Sequence, residues 1–195
     1  MTARSGMSNL IQRVRELANV GTSEWTLNSV TYWSDDHVQT RLDQHRRDYV
    51  EVIEPASEYV EGSTEYHDYR LSFGHLEETA SGTTAWSVRG SGGTVQGTAD
   101  YTVGYETGLI RFTADTAGSA MTVRYRAFDP YLAAADIWRA RAANVALCYD
   151  IKEGEHSLSR SQMFKHCNAQ AAQLERQAGN AGNTLVRMYR SDLNV

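Results

Sequence analysis

Proline and cysteine are scarce, with two of each in 195 residues. So few prolines leave helices and strands free of obligatory breaks, and two cysteines cannot build a disulfide framework that substitutes for a hydrophobic core. Cys148 and Cys167 both fall in segments with helical spacing, where a reduced thiol serves as a small core residue. No apolar run approaches the roughly 18 residues needed to cross a bilayer, and the first residues lack a signal-peptide apolar stretch. The expectation is therefore a chain made in the cytoplasm and not inserted into membrane. A surplus of positive charge is also missing. The 19 Lys plus Arg stand against 24 Asp plus Glu, for a net charge of −5, which excludes general attraction to nucleic acid or anionic membrane and leaves room only for a local basic patch.

Catalytic and metal-binding signatures are missing too. His37, His45, His67, His75, His156 and His166 form no HExxH, and no paired CxxC is present. The glycines of RGSGGTVQG, residues 89–97, lack the Lys and Ser/Thr that a phosphate loop requires, and they read as a hairpin turn. His166 adjoins Cys167, but successive helical positions point about 100° apart, so the two side chains cannot face each other as a nucleophile and its base. Asp35 and Asp36 beside His37 suit the positive end of a helix better than an acid/base site. No cofactor and no enzymatic activity are expected.

What is present, at 41% hydrophobic residues, suffices for one good core and a smaller appended one. The longest helical stretch is DPYLAAADIWRARAANVALCY, residues 129–149. Asp129 is placed to cap it and Pro130 sits where a missing N–H costs nothing. Its alanines (Ala133, Ala134, Ala135, Ala140, Ala142, Ala143 and Ala146) favour helix and allow close approach of neighbours. Ile137, Trp138, Val145 and Leu147 supply larger contacts.

Ahead of it, Ser8 is placed to cap a helix with Leu10, Ile11, Val14, Leu17 and Ala18 on one face and Gly21 at its end. Ser34 caps a second, with Val38, Leu42, His45 and Tyr49 as its stripe. From about Val50 the period becomes two. Residues 49–54, 67–74, the Trp86/Val88 segment, the hairpin of residues 100–115 and the Met121/Val123/Tyr125 segment read as strands, with Pro55 opening a polar turn and Gly108 suited to a left-handed loop position. After a polar loop around Gly154, a fourth helix capped by Ser157 or Ser159 carries Met163, Cys167, Ala171, Leu174 and Ala178 on its buried face and ends at Gly179.

The expected fold class is thus α+β. Residues 1–49 hold the N-terminal helices of a small antiparallel four-helix bundle, 50–128 a β-hairpin-rich insertion, 129–179 the C-terminal helical hairpin, and 180–195 an extended arm too short for a core of its own. The aromatic residues Tyr66, Tyr69, Trp86, Tyr101, Tyr105 and Tyr125 leave open a sugar-binding platform, although aromatic strand residues ordinarily pack on one another.

Three pieces in order, DYTVGYETGLIRF, then YLAAADIWRARAA, then Asp150, Gly154, Arg160, Ser161 and Gln162 spaced as D-x3-G-x5-RSQ, resemble the head-to-tail adaptor (connector) proteins of long-tailed bacteriophages. The resemblance runs from about Val38 to Gly179. It implies a non-enzymatic virion protein of the neck, a homo-oligomeric ring commonly of twelve copies. Its partners would be the portal protein, the next neck or head-completion protein, and double-stranded DNA that passes without sequence-specific binding. By position in the chain, Leu185, Val186, Arg187, Met188, Tyr189 and Arg190 would form the portal-docking arm. Arg160 would serve between subunits, or structurally by pairing with Asp150 or capping carbonyls. The alternatives are a carbohydrate- or host-surface-binding module carried by the aromatic strands, and an uncharacterised hydrolase using His and Asp groups.

Overall fold

Asp129 Oδ1 accepts hydrogen bonds from the N–H groups of Tyr131 (3.0 Å) and Leu132 (3.1 Å), so the long central helix starts where its capping residue dictates. The computed structural model describes residues 3–22, 25–27, 30–78, 86–146, 151–153, 156–158 and 160–181. In chain order the elements are α1 (Ser8–Ala18), β1 (Trp25–Leu27), β2 (Val30–Tyr32), α2 (Asp35–Gln44), β3 (Arg46–Ile53), β4 (Pro55–Val60), β5 (Ser63–Arg70), β6 (Ser87–Arg89), β7 (Tyr101–Gly104), β8 (Leu109–Phe112), β9 (Met121–Phe128), α3 (Pro130–Ala146), β10 (Ile151–Glu153), β11 (His156–Leu158) and α4 (Arg160–Ala181). All strand pairs among the described residues are antiparallel. Among the described residues the fold is α+β with four helices, but its strand content exceeds that of a small bundle with one insertion. The order differs as well, because short hairpins β1–β2 and β10–β11 interrupt the two helix pairs. Three-residue strands are too short to show the alternation that betrays a strand in sequence.

The chain divides into two compact units. One holds residues 1–3, 11–45 and 129–195; the other holds 4–10 and 46–128, and the division runs through α1.

In the helical unit, α1 ends at Asn19 and not at the expected Gly21. Asn19 takes the left-handed conformation (φ 51°), and its N–H donates to Glu16 O while that of Val20 donates to Arg15 O. This is a Schellman ending, which asparagine tolerates. Arg15 then ties α1 to the start of α2, donating to Trp33 O (2.6 Å), to Asp35 Oδ1 (2.7 Å) and to Gly21 O. Ser34 Oγ accepts from His37 N as the cap of α2, with Asp35 and Asp36 in the first turn. The helix is shorter than its apolar stripe suggested. His45 is its C-cap and Tyr49 belongs to β3, because all eight residues from Arg46 to Ile53 find partners on β9, from Arg46↔Phe128 to Ile53↔Met121. A complete ladder beyond Gln44 outweighs one more helical turn. α3 packs on α2 and α4, with Ala133, Ala134, Ala135, Ile137 and Ala142 buried and Ala143 exposed. α4 continues through Gly179 to Ala181; glycine weakens a helix interior by only about 1 kcal/mol, which packing overrides.

In the β unit, two sheets, β3-β9-β6 and β4-β5-β8-β7, contribute to one core. It includes Ile53, Tyr69, Leu71, Val88, Ile110, Phe112, Met121, Val123 and Tyr125. The expected polar turn after Pro55 is strand β4, paired with β5 through a bulge between Ala56 and Ser57. The strand expected at 67–74 starts earlier, at Ser63, and stops at Arg70. Leu71 lies beyond it but is still buried. Glu51 fastens this segment, accepting from Ser72 N (2.9 Å), Ser72 Oγ (2.6 Å) and Tyr125 Oη (3.0 Å). Glycines 90 and 93 make the turn expected of them, with Gly93 N donating to Gly90 O.

Candidate functional site

Within the helical unit, chemistry gathers along the surface shared by α3 and α4. Trp138 Nε1 donates to Leu17 O (3.3 Å), and Arg141 donates through Nη1 to Ala18 O (3.0 Å) and Nη2 to Asn19 O (3.1 Å). A cation on the last carbonyls of α1 satisfies acceptors the helix leaves open and matches its negative end. The same guanidinium lies 5.0 Å from the Trp138 ring centroid. His166 of α4 meets the other geometry of that ring, edge-on at 5.9 Å. Arg139 pairs with Glu175 across the two helices at 2.6 Å. Arg139 and Arg141 therefore stitch helices together.

Beside Trp138 opens a groove of about 520 Å³, lined by Arg141, Asn144, Gln162, Met163, His166 and Cys167. Ser161 to His166 are all exposed, and Met163 and Phe164 show 38% and 42% of their surface. Met163 thus departs from the buried face expected for α4, whereas Cys167, Ala171 and Leu174 keep it. Of the residues marked by sequence, Arg160 opens α4, Ser161 and Gln162 continue its first turn, and Gln162 reaches the groove. Asp150, Gly154 and Leu185 to Arg190 lie outside the described residues, as do Cys148 and the candidate cap Ser159; Ser157, the other candidate cap, is in β11. Trp138 and Phe164 were missed as groove and surface residues because the spacing of apolar side chains cannot separate a packed face from an uncovered one.

His37, His45 and Cys167 have structural explanations. Among the described residues no group of three or more His, Cys, Asp or Glu is arranged to hold a metal ion. Cys167 is a free, buried thiol, and burial pushes its pKa up, away from the nucleophilic thiolate. His37 stacks on buried Trp33 with centroids 4.9 Å apart; desolvation first, then the Arg41 charge, lowers its pKa. His45 Nε2 and Asp136 Oδ2 lie 2.7 Å apart, linking the end of α2 to α3.

His67 stands between Glu65 Oε2 (2.9 Å from Nε2) and Phe112 O (3.0 Å from Nδ1). Two acceptors favour the doubly protonated ring, and its pKa is raised from 6.5, chiefly by Glu65 and then by the carbonyl. A raised folded pKa means that this contribution to stability is fully present below the unfolded value and disappears as pH climbs through the folded one. We expect the His67 imidazole resonances to titrate above pH 6.5, and Glu65→Gln to bring the midpoint back down. A midpoint at or below the ordinary value would contradict this geometry.

Aromatic residues of the β unit are largely consumed in packing. Tyr69, Tyr101 and Tyr125 are buried, Tyr49 stacks on Phe73 and Tyr125, and Trp86 Nε1 donates to Tyr101 Oη at 2.9 Å.

Compared with protein-family models, curated proteins and solved structures, the chain matches none.

Proposed function

We propose that this protein is a structural component of the virion neck of a long-tailed bacteriophage, a head-to-tail adaptor. Its copies form a ring, of about twelve by the family resemblance, between the portal protein and the tail-proximal neck, and DNA passes through the ring without sequence-specific contacts. In this reading the helical unit is the bundle of the adaptor, the β unit its insertion, and residues 182–195 the portal-docking arm.

The observation that carries the reading is the start of α4. The RSQ of the D-x3-G-x5-RSQ pattern forms its first turn, and Met163 and Phe164, immediately after it, present apolar surface on a stretch exposed at every position from Ser161 to His166. A soluble chain leaves clustered apolar side chains uncovered where another chain covers them. An enzyme would instead need a convergent set of reactive groups, and among the described residues His37, His45, His67, His166 and Cys167 are engaged in packing or pairing.

The test is to mix the protein with its portal and image the product by negative stain. Rings stacked on one face of the portal are expected. Deleting residues 182–195 should abolish that binding while leaving the circular dichroism and melting of the fold in place. Portal binding with undiminished affinity after the deletion would show that the arm has another role.

A further inference from the structure

We propose that the outer face of the β3-β9-β6 sheet is the seat for the β4–β5 hairpin of a second copy of this chain. Register places the face. Arg89 is opposite both Val95 and Thr122, and Thr122 is opposite Val52, so these four share one row on one side of the sheet. The next row is Ser87, Arg124 and Val50, and beyond it Arg126 is opposite Asp48. Alternation sends Val88, Val123, Met121 and Ile53 into the core. The outward valines are uncovered, with Val50 at 63%, Val52 at 69% and Val95 at 58% exposure. Arg126 is held by Asp48 and Glu77, but Arg89 and Arg124 have no ion-pair partner among the described residues. β3 is also an edge strand of its sheet. Exposed valines on an open edge invite pairing with another chain, and proteins cover or blunt such edges.

The occupant is identified by chemistry. A face of three valines around two unpaired guanidinium groups fits a partner that is apolar and acidic together. DNA phosphates would leave the valines unused. The β4–β5 hairpin of the same chain has the complementary character. Residues 55–66 include Glu58, Glu61 and Glu65 and no Lys, Arg or His, and Tyr59, at 76% exposure, is the most exposed large apolar side chain among the described residues. Among the described residues its two strands pair only with each other between Ser57 and Glu65. Glu65 contacts His67 and Glu58 makes an exposed 3.5 Å pair with Arg111, of a kind worth little. Glu61, in the turn, has no ion-pair partner among the described residues. Hairpin and face belong to different sheets, so one contact between two copies can leave a free hairpin and a free face, and repeated head-to-tail it closes into a ring. It deepens the ring reading and rests on it for the second copy.

Charge reversal tests it. Arg89→Glu with Arg124→Glu makes the face acidic; Glu58→Lys with Glu61→Lys makes the hairpin basic. Each double variant should fold with unchanged melting yet lose self-association by about tenfold or more, through like-charge repulsion. An equimolar mixture of the two should regain it, since every contact in the mixture joins opposite charges. Association is read by sedimentation of the free chain and by ring formation on the portal.

Either variant assembling like the wild type, a mixture that stays apart, or a wild-type chain monomeric in both settings would overturn the contact. So would double-stranded DNA bound by the wild type and released by the face variant. If variants still form portal rings, the contact fails and the adaptor reading stands. If the charge pattern holds without portal binding, the contact stands and the adaptor reading fails.

Discussion

Gly108→Ala should lower the thermal midpoint of the protein by roughly 2–18 °C, at about 2–4 °C per kcal/mol for a chain of this size. Two costs coincide at this position. Gly108 has φ +70°, a left-handed conformation that costs an ordinary residue about 1–2 kcal/mol. An added Cβ would also lie 2.5 Å from Phe73 O and 3.3 Å from Leu71 Cβ, and forced displacement in a packed region costs about 1–3 kcal/mol more. The gain from a less flexible unfolded chain, about 0.4–1 kcal/mol, does not offset these. The hydrogen bonds show why the loop cannot simply move away. Leu71 N donates to Gly108 O at 2.9 Å and Gly108 N to Gly104 O at 2.8 Å, so the β7–β8 turn is fastened to the segment after β5.

Gly62→Ala supplies the comparison. Its φ is +93°, but nothing lies within 4 Å of its Cβ position, so strain acts there without collision. A loss at Gly108 no larger than that at Gly62 would remove the collision from the account.

Ala135→Leu should destabilise the helical unit by about 1–3 kcal/mol, whereas Ala143→Leu should leave it nearly unchanged. Both are alanines of α3 with the same intrinsic helix preference, and leucine is almost as good a helix former. Propensity therefore cancels between the two variants and leaves packing to decide. Ala135 is buried in the row with Ala133, Ala134 and Ile137; Ala143 faces solvent. Denaturant unfolding with a common slope measures the difference. Equal midpoints for the two variants would mean that α3 is not seated as described, and a larger loss at Ala143 would mean that its face is covered in solution by something else, such as a neighbouring copy.

Local chemistry was legible wherever one residue's own geometry sufficed. Asp129 and Ser34 cap helices because a side-chain oxygen beside free N–H groups needs nothing distant, and Gly108 sits in its turn because only glycine takes that φ at no steric cost. The alternation of Tyr101, Val103 and Ile110, Phe112 likewise marks β7 and β8, each long enough to reveal a period of two. Boundaries set by partners were not legible. Nothing in Val38, Leu42, His45 and Tyr49 announces that the helix stops at Gln44, because the reason is the β9 ladder more than seventy residues away in sequence. β4 was hidden for the same reason, its pairing with β5 being the only thing that makes it a strand.

The candidate surfaces divide the same way. The α+β class with antiparallel strands follows from residue types and their spacing, since these reflect interactions within a few residues of chain. Which apolar side chains stay uncovered does not. Met163 has the spacing of a core residue, and Val50 and Val52 that of a strand face. Their exposure depends on whether another element lies against them, a long-range fact that only the tertiary structure decides.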